Sequence, residues 1–122
     1  MGNHIGHETK TVDKPDERRD FDHGYVETVT LGGHSIGRTH LEPGWRWSEA
    51  VKPLAGTDLC EVPHVGYALA GRIRVKMSDG SEFDIAAGDA YTLIDPHDAW
   101  VIGDEVFSGV EFESLADYAR KA

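Results

Sequence analysis

The segment Arg72-Ile-Arg-Val-Lys-Met77 alternates basic and apolar side chains without a break. Strict alternation marks a half-buried strand, because successive side chains point to opposite faces. Ile73, Val75 and Met77 share one face, while Arg72, Arg74 and Lys76 point to water. Ser78-Asp79-Gly80-Ser81 follows, and its Asp-Gly pair fits a tight hairpin turn. Glu82 to Ala86 then returns with Phe83 and Ile85 inward. A chain built around such a hairpin must cover one apolar sheet face.

The remainder from Tyr25 onward repeats this grammar. Tyr25–Leu31 stops at Gly32-Gly33, His34–Leu41 before Pro43-Gly44, and Val62–Ala70 at Gly71. Ala90–Ile94 ends at Asp95-Pro96, and Ala99–Ile102 and Val106–Phe112 complete the set. Short strands at this spacing predict an all-β sandwich or barrel. Only Ser114 to Ala122 reads as helical, with Ser114 as N-cap and Arg120 and Lys121 at its end. Residues 1–22 are dense in charge and histidine (His4 and His7, with His23 beside them) and read as a flexible N-terminal arm. The organisation expected is therefore an arm over 1–22, a barrel over 23–113 and a short C-terminal helix over 114–122.

Charge and cysteine content narrow the function. Twelve basic against 22 acidic side chains give a formal net charge of −10. Such a surface repels polyanions, so neither nucleic acid nor an anionic lipid surface is an expected partner. Cys60 is the only cysteine, which rules out an intramolecular disulfide and fits a reducing cytoplasm. No run approaches the roughly 18 apolar residues of a membrane span. The stretch Met1–Lys14 lacks a signal-peptide core, and Gly6 stands where a myristoylation motif wants Ser or Thr.

Leu41 to Asp104 resembles the cupin superfamily. The resemblance is carried by His64-Val-Gly-Tyr-Ala-Leu-Ala-Gly71, running into Arg72-Ile-Arg-Val and the Asp79-Gly80 turn, and by Gly88-Asp89-Ala-Tyr-Thr-Leu-Ile-Asp-Pro96. Leu41-Glu-Pro-Gly-Trp-Arg-Trp-Ser48, Gly56-Thr-Asp-Leu-Cys60 and His97-Asp-Ala-Trp100 are similar to a subgroup of small single-domain cupins with a variant metal motif. The resemblance implies an antiparallel β-barrel (a double-stranded β-helix or jelly roll) around one pocket, and a homodimer. It also implies a metal site with changed letters. His64 stands at the family's glutamate position, Asp58 and Cys60 at its first two histidines, and Ala99 or Trp100 near the third. His97 lies two residues before Ala99 and shares its side of an extended strand.

The residues themselves support a pocket. Asp58 and Cys60 share a face if that segment is extended, and Gly66 and Ala68 keep the His64 face small. Cys60, His64, His97 and Asp58 would form a mixed ligand set suited first to zinc, with nickel, iron or copper as other divalent candidates. The alternative is a metal-free pocket in which Cys60 behaves as a small hydrophobe. A thiol–base pair of Cys60 and His64 is a third arrangement, but i to i+4 spacing across a turn guarantees no contact.

Trp45 and Trp47 alternate around Arg46 and would either wall the pocket with Trp100, stacking on a planar or apolar ligand, or serve as core or dimer packing. Arg46 would pair with a ligand carboxylate or an acidic neighbour, and His40 would either approach from the adjacent strand or face solvent as a hydrogen-bonded strand histidine. Three functions stay open: a metal-assisted enzyme on a small organic substrate, a non-catalytic ligand-sensing or storage module, and a barrel filled by its own side chains.

Overall fold

The computed structural model describes residues 6–120, so His4 of the arm and Lys121 of the C-terminal helix lie outside the described residues. Nine strands are present among them: β1 Glu17–Phe21, β2 Gly24–Leu31, β3 His34–Leu41, β4 His64–Ala70, β5 Arg72–Met77, β6 Glu82–Ala86, β7 Ala90–Leu93, β8 His97–Val101 and β9 Phe107–Phe112. All pairings are antiparallel. One sheet has the order β1-β2-β3-β9-β4-β7 and the other β6-β5-β8.

The hairpin foreseen at Asp79-Gly80 joins β5 to β6 with Val75 opposite Phe83 and Ile73 opposite Ile85. Val75 is fully buried, whereas Phe83 near the turn of the hairpin remains 41% exposed, so its inward placement is only partial. Between β4 and β5 the chain passes from one sheet to the other at Gly71, whose φ of 76° lies in the left-handed region. A β-carbon there would run into the backbone of Val106 and Phe107. Glycine is thus required by both conformation and space.

Inward side chains of the two sheets meet around Phe107, Val26, Val75 and Ile85, each at 2% exposure or less. Burying side chains of this size stabilises the barrel by about 1.5–3 kcal/mol each. The link from β3 to β4 folds over one end of the barrel as two single-turn helices, α1 Trp47–Ala50 and α2 Lys52–Ala55. Two isolated bridges, Arg46 to Trp100 and Cys60 to His97, tie this link to β8.

Two boundaries need correction. The segment 1–22 is not an arm throughout, since β1 pairs with β2 from Glu17↔Thr28 to Phe21↔Gly24. Its five residues hide the alternation because both faces carry charge, as in Glu17-Arg-Arg-Asp. Among the described residues the C-terminal helix is a single 3-10 turn at Ser114–Ala116, and Glu113 rather than Ser114 precedes it as cap. Ser114 is buried, accepting a hydrogen bond from the Val65 amide and donating to the Phe112 carbonyl. No helix of the described residues is long and apolar enough to cross a membrane.

Candidate metal centre

Cys60, His64 and His97 are all buried, at 2%, 6% and 3% exposure, and one donor atom from each lies within 4.8 Å of the others. Three different elements bring them together. His64 opens β4 on its inward face, which Gly66 and Ala68 continue. His97 opens β8, where Ala99 and Val101 share its buried side. Cys60 reaches them from the link: its amide donates to the His97 carbonyl at 2.8 Å, and the His97 amide donates back at 3.1 Å. This reciprocal pair fixes Cys60 beside His97 although 37 residues separate them.

The outer hydrogen bonds determine which ring nitrogens remain free. His64 Nδ1 donates to Glu111 Oε1 at 2.6 Å, and His97 Nδ1 donates to the Asp95 carbonyl at 2.9 Å. Nε2 is therefore the nitrogen left on each ring. Cys60 Sγ lies 3.6 Å from His64 Nε2. A carboxylate or carbonyl behind each imidazole is the arrangement that orients histidine ligands at metal sites.

Electrostatics couples the same groups. Burial pushes the Cys60 thiol up, but hydrogen bonds to His64 and His97 outweigh it and bring its pKa down to about 7. Burial disfavours a charged His64, yet the neighbouring Glu111 carboxylate, with Cys60, raises it to about 10. Without a metal, both shifts favour an imidazolium facing a thiolate above about pH 7. Tyr91 Oη donates to Glu111 Oε2 at 2.7 Å, and burial with the Glu111 charge holds that phenol protonated.

A cavity of about 40 Å³ adjoins the cluster, lined by Trp45 and Trp47, the two histidines, Tyr91, Glu111 and an apolar wall that includes Leu93 and Phe107. Leu115 and Tyr118 close one end, and the Tyr118 ring packs edge-on against His64 at 5.5 Å. Arg19 of β1 holds this cap down by donating to the carbonyls of Tyr118, Leu115 and Ala116.

Several sequence expectations are corrected here. Asp58 is not in the cluster: its side chain is 96% exposed and pairs with Lys52 at 3.3 Å. Residues 57–59 form a bend after Gly56, which ends α2 at φ 77°, so alternation does not apply to Asp58 and Cys60. Arg46 faces away from the cavity, with its guanidinium 4.2 Å over the Trp100 ring and 3.7 Å from Asp98. Trp100 is outward because it has opposite parity to the buried Ala99 and Val101. His40 is likewise outward, stacked on Tyr25 at 4.6 Å and paired with Glu42 at 3.6 Å.

Gly66 and Ala68 do lie on the buried face, but they do not leave open space. A β-carbon on Gly66 would sit 2.5 Å from the Val110 carbonyl oxygen and 2.8 Å from Tyr91 Oη. The residue missed from the sequence is Glu111, buried at 5% exposure. Its signal was parity, since Phe107, Gly109 and Glu111 alternate inward along β9.

No protein-family model matches the sequence, and no curated protein sequence does either. Among solved structures, oxalate decarboxylase from Bacillus subtilis superposes with a TM-score of 0.65 at 16% identity, over 94% of this chain and 31% of that one. The chain thus spans about a third of the length of the oxalate decarboxylases it matches. Ectoine synthase from P. lautus gives 0.63 at 13% identity, over 88% of this chain and 78% of that one. A cupin-like protein from Thermotoga maritima gives 0.52 at 11% identity, over 75% and 68%. These likenesses, with the two-sheet antiparallel topology, show that the chain has the cupin fold.

Proposed function

We propose that the barrel binds one divalent metal ion, zinc foremost, through Cys60 Sγ and the Nε2 atoms of His64 and His97, and takes a small molecule in the adjoining cavity. One observation carries this reading. Zinc held at about 2.3 Å from sulfur and 2.0–2.1 Å from nitrogen at a tetrahedral angle sets S and N about 3.6 Å apart. Cys60 Sγ and His64 Nε2 are 3.6 Å apart. Three protein ligands leave a fourth position, as in catalytic rather than closed structural zinc sites. A bound ion of this kind polarises a substrate oxygen or water.

The chain's own residues prepare the site. Glu111 keeps the His64 Nδ1 proton in place, the Asp95 carbonyl does the same for His97, and Tyr91 holds Glu111. The cavity restricts the partner to a few atoms, well below the roughly 300–1,000 Å³ of a drug-sized pocket. A thiolate ligand requires reducing surroundings, which suits a cytoplasmic protein. Pairing of two chains is proposed across β4 and β9, where Val65, Tyr67, Leu69 and Phe112 are each 44–50% exposed on one sheet face.

A second reading is favoured by the alignment of Cys60, His64 and Glu111 at 3.6 Å and 2.6 Å. Nucleophile, base and orienting carboxylate stand in that relation in covalent catalysis. Elemental analysis of tag-free protein purified without chelator separates the two. Close to one equivalent of metal, lost in His64→Ala and held more weakly in Cys60→Ser, supports the metal centre. No metal, even after incubation with excess ions, contradicts it and leaves the thiolate pair.

A further inference from the structure

His64 is a wall shared by two spaces. On one side is the inner cavity of about 40 Å³, and on the other an outer groove of about 290 Å³ whose lining includes Val62, Val65, Ile94 and Phe112. Between them runs the C-terminal strap, residues 114–120, which follows β9 after Glu113. Its side chains divide by position: Leu115 and Tyr118 line the cavity, while Ser114 and Asp117 line the groove. With the strap in place the cavity holds only a few atoms. Joined, the two spaces reach the lower end of the roughly 300–1,000 Å³ of a small-molecule site.

The strap is held differently from the strands. Among the described residues, no backbone hydrogen bond joins residues 115–120 to a strand. Its polar ties run to two side chains of β1, the edge strand of the larger sheet. Arg19 donates to the Leu115, Ala116 and Tyr118 carbonyls, and Glu17 accepts from Arg120 at 3.1 Å. Non-glycine residues at positive φ stand near both ends, Glu113 at 67° and Ala119 at 59°, in conformations that L residues adopt only at a cost. Glu113 itself is pinned: its amide donates to the Ser35 carbonyl at 2.7 Å, and its carboxylate accepts from the Ser35 amide at 2.9 Å. A segment fixed at one end, tied by few side chains and plugging a cavity with Leu115 and Tyr118 has the construction of a lid.

We propose that residues 114–120 are a gate. Swinging away about Glu113, they join groove and cavity and admit an organic ligand whose apolar body lies in the groove and whose head enters the cavity. The proposal rests on the reading that the cavity takes a small molecule, and it needs no metal ion. Val65 and Phe112 belong to the face proposed above for pairing, so a second chain would border the groove.

A cross-link tests the gate. A β-carbon at Gly37 would stand 3.1 Å from Leu115 Cβ, a few tenths short of the roughly 3.5–4.5 Å usual in disulfides. Gly37→Cys/Leu115→Cys, oxidised until Cys60 is the free thiol left, locks the strap to β3. Gly37→Ala/Leu115→Ala repeats the truncation without the bond. Iodoacetamide, a small neutral organic molecule, then reports entry through its alkylation of Cys60 in metal-free protein. The rate is read at low urea, where independence of denaturant marks local opening rather than global unfolding.

The locked form should react more slowly than the truncated control by a factor of about ten or more. Equal rates would overturn the gate and leave the small-molecule reading standing, because the reagent then enters elsewhere. No reaction below the unfolding transition, in either form or in wild type, would overturn both. Should the cross-linked chain fail to fold, Arg19→Ala decides: a faster rate than wild type supports the gate, and an unchanged one overturns it.

Discussion

His64 Nδ1 and Glu111 Oε1 lie 2.6 Å apart across 47 residues of sequence, with both side chains buried. Their contact joins the first residue of β4 to the inward face of β9, and it leaves His64 Nε2 aimed at Cys60. A buried carboxylate in this position both orients the ring and favours its charged form.

Glu111→Gln should therefore separate orientation from charge. The amide oxygen still accepts from Nδ1, but the negative charge is gone. Metal affinity should fall about 10–100-fold, the range seen when such supporting groups are changed. In metal-free protein the Cys60 thiol should rise above its value of about 7, because a less basic His64 supports the thiolate less. Thiolate absorbance against pH reads the second effect, and a competition titration with a chelator reads the first. An unchanged thiol midpoint contradicts the coupling.

The same coupling fixes the pH dependence of stability in chelator-treated protein. His64 is raised from 6.5 to about 10, so its contribution is complete below 6.5 and is lost as pH rises through 10. Cys60 is lowered from 9.0 to about 7, so its contribution is complete above 9 and is lost as pH falls through 7. Between pH 7 and 9 the two slopes oppose each other, and the urea midpoint should be nearly flat. Above pH 9 only the His64 slope remains, and stability should fall by up to about 1.4 kcal/mol per pH unit. Cys60→Ser removes the rising slope, so its stability should decline from pH 7 onward. A wild-type decline that starts at pH 7 contradicts the paired titration.

Gly66→Ala tests how closely β4 and β9 must approach. The added methyl would meet the Val110 carbonyl at 2.5 Å, Tyr91 Oη at 2.8 Å and Glu111 Cγ at 2.9 Å. Backbone and a hydrogen-bonded pair cannot yield cheaply, so destabilisation of about 1–3 kcal/mol is expected in chemical denaturation. Metal affinity should drop as well, because Glu111 is displaced from His64. A neutral substitution would show that the strands separate more freely than their contacts indicate.

Arg19→Ala tests the cap. Removing the guanidinium leaves the Leu115 and Tyr118 carbonyls without their partner, Ala116 keeping its bond from Arg120, and loosens the turn that closes the cavity. Local opening should become easier by about 1–2 kcal/mol, and alkylation of Cys60 by iodoacetamide in metal-free protein should speed up roughly 5–30-fold. Unchanged alkylation with an unchanged overall stability contradicts a role for Arg19 in closure.

Strand patterning exposed much of this architecture in advance, and the reasons it failed elsewhere are local. β4 to β6 were legible because their alternation is clean: Val65, Tyr67 and Leu69 face out while His64, Gly66 and Ala68 face in. His97 was legible for the same reason, through the parity it shares with Ala99. Asp58 misled because parity was applied to a bend, where it has no meaning. β1 was hidden because its two faces are both charged, its inward-leaning Arg19 being used to cap carbonyls rather than to avoid the core.

Parity offered Glu111, but its residue type argued against burial. An acidic residue in a strand ordinarily signals a wet face, and only the histidine brought to it by the β4–β9 pairing explains its burial. Trp45 and Trp47 were visible as aromatic bulk, but that neither indole N–H has a partner among the described residues is a property of the folded barrel alone.

The most direct test of the metal centre is X-ray absorption at the zinc edge of protein loaded with one equivalent of zinc. The account predicts a single sulfur scatterer at about 2.3 Å with nitrogen or oxygen neighbours at about 2.0–2.1 Å and imidazole outer-shell features. Cys60→Ser should lose the sulfur shell and keep the imidazole signal. A shell made only of nitrogen and oxygen in the wild type, or zinc that washes away on desalting, would contradict a Cys60–His64–His97 site.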